Sequence, residues 1–275
     1  MSLIRNDGLQ VNRRTFFDEA NFSRETERIF RNSWQFVAHE SEISQPGDYI
    51  TRYLGLDPVI VVRSEKAGVR VLHNSCRHRG TELCAADIGN TSHFRCSYHG
   101  WTYANSGELR GVPRKPELYG NAFDRSQLGL KQAKVEIFCG LIFATWDEAQ
   151  VPLQEALGEM AWYIESVLGR AEMEVMGPPT RILGNFNWKS GAENWSGGEG
   201  YHVQTTHKIV MDLGVAVNPE PLFAQAAERG AGQPVPDPSM EKTQVCQFAT
   251  SKGHTGLALR APVKFDRPVF LGYES

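Results

Sequence analysis

The chain has 275 residues, with 29 Lys and Arg against 32 Asp and Glu, a formal net charge of −3. At 41% hydrophobic and 22% charged it has the make-up of a folded globular protein, which excludes a collagenous, coiled-coil or wholly disordered chain. The near-neutral balance, without a long basic run, argues against nucleic acid or an anionic membrane surface as partner.

The first residues, Met1 to Gly8, lack the apolar core and small-residue cleavage site of a secretory signal, so a cytoplasmic setting with reduced thiols is expected. From about 15 to 45 the chain is charged, with Phe22, Ile29, Phe30 and Trp34 at spacings that predict an amphipathic helix. From about 46 to 147 short β-rich runs follow, at 58–62, 69–72 and 134–146, punctuated by Gly, Pro and Asn. The most apolar stretch, 137–146, falls short of the roughly 18 to 20 residues that a membrane helix needs and reads as a buried strand. Beyond Val151, Leu153, Leu157, Met160, Ala161, Ile164 and Leu168 follow helical spacing up to Gly169. A strand is predicted over 181–188, a Gly-interrupted helix over about 192–210, a surface loop over 226–240 and an apolar strand over 268–271. The expected organisation is a helical segment at 1–45, a small all-β module at 46–150 and a further region at 151–275. Five cysteines, Cys76, Cys84, Cys96, Cys139 and Cys246, are odd in number and sparse, a poor disulfide framework that turns attention to metal binding.

Residues 74–80 read Asn-Ser-Cys-Arg-His-Arg-Gly, and after 17 residues beyond His78 comes Cys96-Ser-Tyr-His99-Gly-Trp101. Each stretch offers one thiol and one imidazole. A structural zinc site can take two Cys and two His, but zinc fingers pair Cys with Cys and His with His. One of each per loop suits a centre in which one metal takes the thiolates and another the imidazoles. This spacing resembles a Rieske [2Fe–2S] domain. The resemblance implies that Cys76 and Cys96 hold the inner iron, and His78 and His99 the outer one, where electrons enter. Gly80 and Gly100 suit loops that turn tightly around a cluster. Respiratory Rieske proteins add a disulfide between the loops; here no cysteine directly follows either pair, which favours the oxygenase branch. Cys84, Cys139 and Cys246 are read as buried and inert.

A second constellation lies at 193–207, Glu-Asn-Trp-Ser-Gly-Gly-Glu-Gly-Tyr-His-Val-Gln-Thr-Thr-His. His202 and His207, five apart, differ by roughly 140° on a regular helix, so joint metal binding needs a distorted turn. Gly197, Gly198 and Gly200 make such irregularity plausible. Two imidazoles and the nearby Glu199 are the ligand types of a non-haem Fe(II) site that activates O₂; two polar residues on a helix are the plainer alternative.

Together the two constellations resemble the large (α) subunit of Rieske non-haem iron aromatic-ring-hydroxylating oxygenases. That family's pattern is Asn-x-x-Gly-Asp-x-Tyr-His, four residues, His. Asn194, Trp195, Tyr201, His202 and His207 match it, and the likeness covers nearly all of residues 10–275. It implies an α+β fold, with a small all-β Rieske domain before an α+β catalytic domain of antiparallel sheet and helices, on which the N-terminal segment packs. His202 and His207 inherit the mononuclear iron, with Glu199, Tyr201 and Asn194 around it. It also implies a reductase that takes electrons from NAD(P)H, a ferredoxin or the reductase as donor to the cluster, and O₂ added to an aromatic substrate. The product is then a cis-dihydrodiol or, with one oxygen, a phenol. A homotrimer is implied, with or without a small β subunit, and with an apolar pocket beside Trp195, Ile209, Val210 and Leu213.

Two departures stand out. The family's Gly-Asp is Gly197-Gly198-Glu199 here, one residue longer and with Glu for the Asp held to bridge the two centres. The third iron ligand of the family comes well over a hundred residues after the second histidine, and only 68 residues follow His207. The expectation is a truncated oxygenase; a fragment completed by another polypeptide, or use of a local carboxylate such as Glu199 or Asp212, are the alternatives. A pure electron carrier and a zinc-stabilised binding module are the readings from other functional classes.

Overall fold

A computed structural model describes residues 3–4, 10–120, 123–169, 171–191, 235–236, 244–252, 254–260 and 263–264. The chain forms two compact units, Met1–Gly184 and Asn185–Ser275.

The first unit is built on a seven-stranded antiparallel sheet and a smaller three-stranded one. In chain order the strands are β1 (Gln35–His39), β2 (Asp48–Leu54), β3 (Asp57–Ser64), β4 (Gly68–His73), β5 (Ile88–Asn90), β6 (His93–Arg95), β7 (Thr102–Ala104), β8 (Leu109–Gly111), β9 (Gln132–Phe138) and β10 (Leu141–Thr145). The large sheet runs β1-β10-β9-β4-β3-β2-β5, and the small one β6-β7-β8. With a few short helices beside them, the arrangement is α+β.

Strand β3 organises both layers. Its run Val59-Ile-Val-Val62 is apolar throughout and wholly buried, the pattern of a strand covered on both faces rather than one alternating between core and solvent. Val59 and Val61 pack with Val37, Ile50, Val71 and Ile142. Ile60 and Val62, on the other face, pack with Leu72, Phe94, Tyr103 and the two cysteines Cys76 and Cys96. The second core is therefore also the floor of the Cys-His loops.

The helical segment expected over 1–45 is shorter. It comprises a 3-10 turn (Arg13–Phe16), α1 (Glu19–Glu25) and a π-helical turn (Thr26–Phe30), followed by β1 and a second 3-10 turn (Glu40–Ile43). Asp18 caps α1, its carboxylate accepting from the Asn21 and Ala20 amides at 3.2 and 3.0 Å. Those residues give way to strand because Gln35 to His39 find partners more than a hundred residues later, in β10. The Trp34 indole donates to the Val151 carbonyl at 2.8 Å, and Lys134 donates to that of Gln150 at 2.6 Å. The chain is thus fastened where it enters and leaves this layer.

The run expected as one strand over 134–146 is a hairpin. Cys139 and Gly140 both take positive φ, 50° and 78°, as the two central residues of a mirror-image hairpin turn do. A Cβ at Gly140 would run into the His39 ring. After the helix α2 (Lys115–Tyr119), the helix expected from Val151 is two, α3 (Leu153–Leu157) and α4 (Met160–Leu168), broken at Gly158 with φ 52°. The strand predicted over 181–188 does not form. Ile182 and Leu183 are exposed and pair with no strand among the described residues, and Arg181 instead bonds Asp87 and the Thr51 carbonyl.

In the second unit β11 (Val235–Pro236) pairs with β14 (Val263–Lys264), and β12 (Gln244–Ala249) with β13 (Thr255–Arg260). Val235 and Pro236 fall inside the predicted 226–240 loop; its remainder, the 192–210 helix and the 268–271 strand lie outside the described residues. Among the described residues no helix is long and apolar enough to cross a membrane.

If β3 carries both layers, Ile60→Ala should destabilise the protein by about 3 kcal/mol. Tyr53→Ala, exposed on the neighbouring strand, should stay within about 0.5 kcal/mol. Urea unfolding midpoints of the two variants check this.

Candidate metal centre

The two Cys-His stretches differ in spacing yet fold alike. The first follows β4, and the second caps the β6–β7 hairpin. In the first, the Cys76 amide donates to the Thr81 carbonyl at 2.8 Å and the Gly80 amide to the Cys76 carbonyl at 2.8 Å. In the second, the Cys96 amide donates to the Trp101 carbonyl at 2.8 Å and the Gly100 amide to the Cys96 carbonyl at 3.0 Å. Both rings close at the same offsets, five and four residues from the cysteine. Each needs a left-handed residue at its fourth step, supplied by Gly80 at φ 76° and Gly100 at φ 70°.

The rings sort the four side chains by element. Cys76 and Cys96 are both 3% exposed and interact with each other. The His78 and His99 rings lie 4.7 Å apart, His99 exposed and His78 half-buried. Burial, then the charges of His99 and Arg79, hold the His78 pKa below the ordinary histidine range, which favours the neutral imidazole that binds metal. Burial pushes the Cys76 thiol up. The Nδ1 atom of His78 is buried with no hydrogen-bond partner among the described residues. A buried polar atom left unpaired is costly, so an electrophile at that position fits the donor set.

Three residues not singled out by motif support these loops. The Tyr103 hydroxyl, wholly buried, lies 3.4 Å from Cys76 Sγ and accepts the Arg77 amide at 3.0 Å. Because its oxygen already accepts, its proton is free to point at the sulfur. Burial and that sulfur push the phenol's pKa up, so it stays a donor. Trp101, two residues earlier and just before β7, stacks on His78. Tyr103 and Trp101 were legible only as an alternation of aromatics after His99. Asn74 is 1% exposed and makes four side-chain hydrogen bonds. Its oxygen accepts the amides of Leu83 and Cys84 at 3.1 and 3.0 Å, and its nitrogen donates to the Cys84 carbonyl at 2.7 Å and to Glu82 at 3.2 Å. It closes the Cys76 loop at its base.

Of the remaining cysteines, Cys84 is buried; its bond to Tyr49, aided by burial, pushes the Tyr49 phenol up to about 12. Cys139 is only half-buried, at the hairpin turn, rather than buried as expected. Cys246 is on β12. Asn194, Glu199, Tyr201, His202 and His207, with the pocket residues Trp195, Ile209, Val210 and Leu213, lie outside the described residues.

Residues 33–132 match the Rieske [2Fe-2S] domain family, and this span holds both rings. The chain is a Rieske oxygenase homologue. It is 46% identical over 200 residues to the N,N-dimethyl phenylurea N-demethylase subunit alpha of Sphingobium sp. (strain YBL2), covering 72% of this chain and 43% of that one. It is 41% identical over 218 residues to the large oxygenase component of the naphthalene 1,2-dioxygenase system of Pseudomonas aeruginosa, covering 78% and 48%. The crystal structure of naphthalene 1,2-dioxygenase from Rhodococcus sp. bound to indole superposes with a TM-score of 0.71 at 42% identity, over 78% of this chain and 49% of that one. The chain thus spans about half the length of the relatives it matches.

Asn74→Ala should cost about 3 kcal/mol of stability, since it strips partners from buried groups at the base of the Cys76 loop. A change below about 0.5 kcal/mol in chemical unfolding would show that the loop holds itself.

Proposed function

We propose that this chain is the large component of a Rieske-type aromatic-ring-hydroxylating oxygenase. Cys76 and Cys96 hold one iron of a [2Fe–2S] cluster, and His78 and His99 hold the other. The observation that carries the reading is the sorting of the four side chains, thiols buried together and imidazoles paired toward the surface, across two rings of the same geometry. A cluster bound there supplies one-electron transfer. The chain's own residues determine how it is exposed: both cysteines sit within the second core, while His99 faces solvent, where a ferredoxin or reductase drawing on NAD(P)H docks.

His202 and His207 are the proposed ligands of a mononuclear iron, which when bound supplies O₂ activation. Glu199, Asn194 and Tyr201 are the further residues proposed to serve this iron, Glu199 by a hydrogen bond to one of its histidines. The support is the match of these residues to the family's pattern, together with relatives named as dioxygenase components. The favoured reaction is dihydroxylation of an aromatic ring to a cis-dihydrodiol, in a cytoplasmic homotrimer with or without a small β subunit. A second reading, oxidative N-demethylation of an N,N-dimethyl arylurea, is favoured by the 46% identity to an N,N-dimethyl phenylurea N-demethylase subunit. Product analysis after incubation with naphthalene and with an N,N-dimethyl arylurea, in the presence of a reductase and ferredoxin, separates the two.

Iron and acid-labile sulfide per chain test the site itself. Three irons to two sulfides supports the oxygenase, two to two an electron carrier or an incomplete catalytic site, and no sulfide rejects the Rieske cluster. Tyr103→Phe removes a hydrogen bond to a thiolate that strengthens on reduction. With about 1 kcal/mol at stake, the cluster's midpoint potential should fall by about 40 mV; an unchanged potential contradicts that contact. Glu199→Ala should lower turnover with cluster content intact, and unchanged turnover removes Glu199 from the mechanism.

A further inference from the structure

Among the described residues no disulfide ties the Cys76 and Cys96 loops, so other contacts keep them in register. Their main-chain rings are each internal to one loop and cannot do it. Two side chains cross between them: Tyr103 reaches the Arg77 amide and Cys76, and Trp101 reaches His78. The Trp101 carbonyl closes the Cys96 ring, while its indole lies on the imidazole of His78, from the other loop, at 4.9 Å with only 9° between planes. Trp101 is 4% exposed and is itself held from behind. Tyr119 and Phe123 meet it edge-on, at 6.3 Å and 78° and at 5.7 Å and 89°, and the Lys115 ammonium lies 5.6 Å over the Phe123 ring. The segment after β8 thus braces the indole, and the indole braces the histidine.

Geometry makes this more than core filling. Edge-on contacts from Tyr119 and Phe123 fix the tilt of the indole, and a near-parallel stack transmits that tilt to His78. Two ring contacts bear on the plane of His78, this stack and the edge contact with His99 at 4.7 Å and 73°, while Nδ1, without a hydrogen-bond partner among the described residues, is left to the metal. Ligand histidines are usually oriented by a hydrogen bond on the nitrogen that does not bind metal; at His78 an aromatic face is also placed to orient the ring.

We propose that Trp101 is a positioning residue that sets the plane of the His78 imidazole on the outer iron and joins the two ligand loops. This rests on the cluster assignment above. Loss of one aromatic pair contact, about 1 kcal/mol, corresponds to about a fivefold factor in an equilibrium or rate.

The test uses the purified full chain with its cluster, reduced for electron paramagnetic resonance and, separately, bleached by a chelator under visible absorbance. In Trp101→Leu the g-tensor lines should broaden, reporting a spread of histidine orientations, and bleaching should run about fivefold faster. Trp101→Phe, which keeps a stacking ring, should return both toward wild type; a general loss of packing volume would not be rescued this way. Sharp lines and unchanged bleaching in Trp101→Leu overturn the proposal, as does a Phe variant no better than Leu. If Trp101→Leu does not fold, Phe123→Leu decides: it loosens the indole without touching His78, and unchanged linewidth there overturns the proposal. A wild-type chain without acid-labile sulfide instead rejects the cluster assignment on which the proposal stands.

Discussion

Two hydrogen-bonded rings of the main chain govern the arrangement of the Cys-His loops, and their shared geometry constrains everything around them. A Cys-x-His loop and a Cys-x-x-His loop present their histidines at different steps, yet both close from the cysteine amide to the fifth residue and from the fourth residue back to the cysteine. The glycines at the fourth step are required because the backbone there is left-handed. With both rings built alike, the cysteines face one another in the core and the histidines face one another near the surface. A centre with thiolate at one end and imidazole at the other follows from that placement.

The rings need a floor, and β3 provides it by burying both of its faces. Val59 and Val61 belong to the core of the large sheet, while Ile60 and Val62 belong to the core that contains the two cysteines. An apolar floor around two thiolates has an electrostatic consequence: charge is disfavoured unless hydrogen bonds or a metal offset the burial. The Tyr103 hydroxyl against Cys76 is the local response to that cost, while the neighbouring Cys96 adds to it. The same burial keeps water from the sulfur end while leaving His99 exposed, so the site is open on one side only.

Much of this was legible in the sequence because metal chemistry prescribes residue types and spacings that packing does not. Cys76, His78, Cys96 and His99 could be picked out from identity and interval alone, and Gly80 and Gly100 from the turns those intervals demand. The supporting residues were less legible. Asn74 has no periodicity to mark it; its role appears only when the chain returns to place Glu82, Leu83 and Cys84 around its amide. Trp101 and Tyr103 follow the second ligand pair with no spacing to mark a role. Strand β1 was read as helix because Phe30 and Trp34 continue a helical spacing, whereas its partners in β10 are distant in sequence. The Cys139-Gly140 turn was hidden inside an unbroken apolar run, since only its second residue is a usual turn former. Strand 181–188 shows the opposite error: apolar residues in a strand-like run do not make a strand without a neighbour to pair with.

The central claim is that the histidines bind metal as a pair and the cysteines as another. Electron–nuclear double resonance of the reduced protein, grown with ¹⁵N-labelled histidine, tests it most directly. Two distinct histidine nitrogens coupled to the reduced centre are predicted, falling to one or none when His78 is replaced by alanine. A spectrum without histidine nitrogen coupling in the wild-type protein would contradict the assignment.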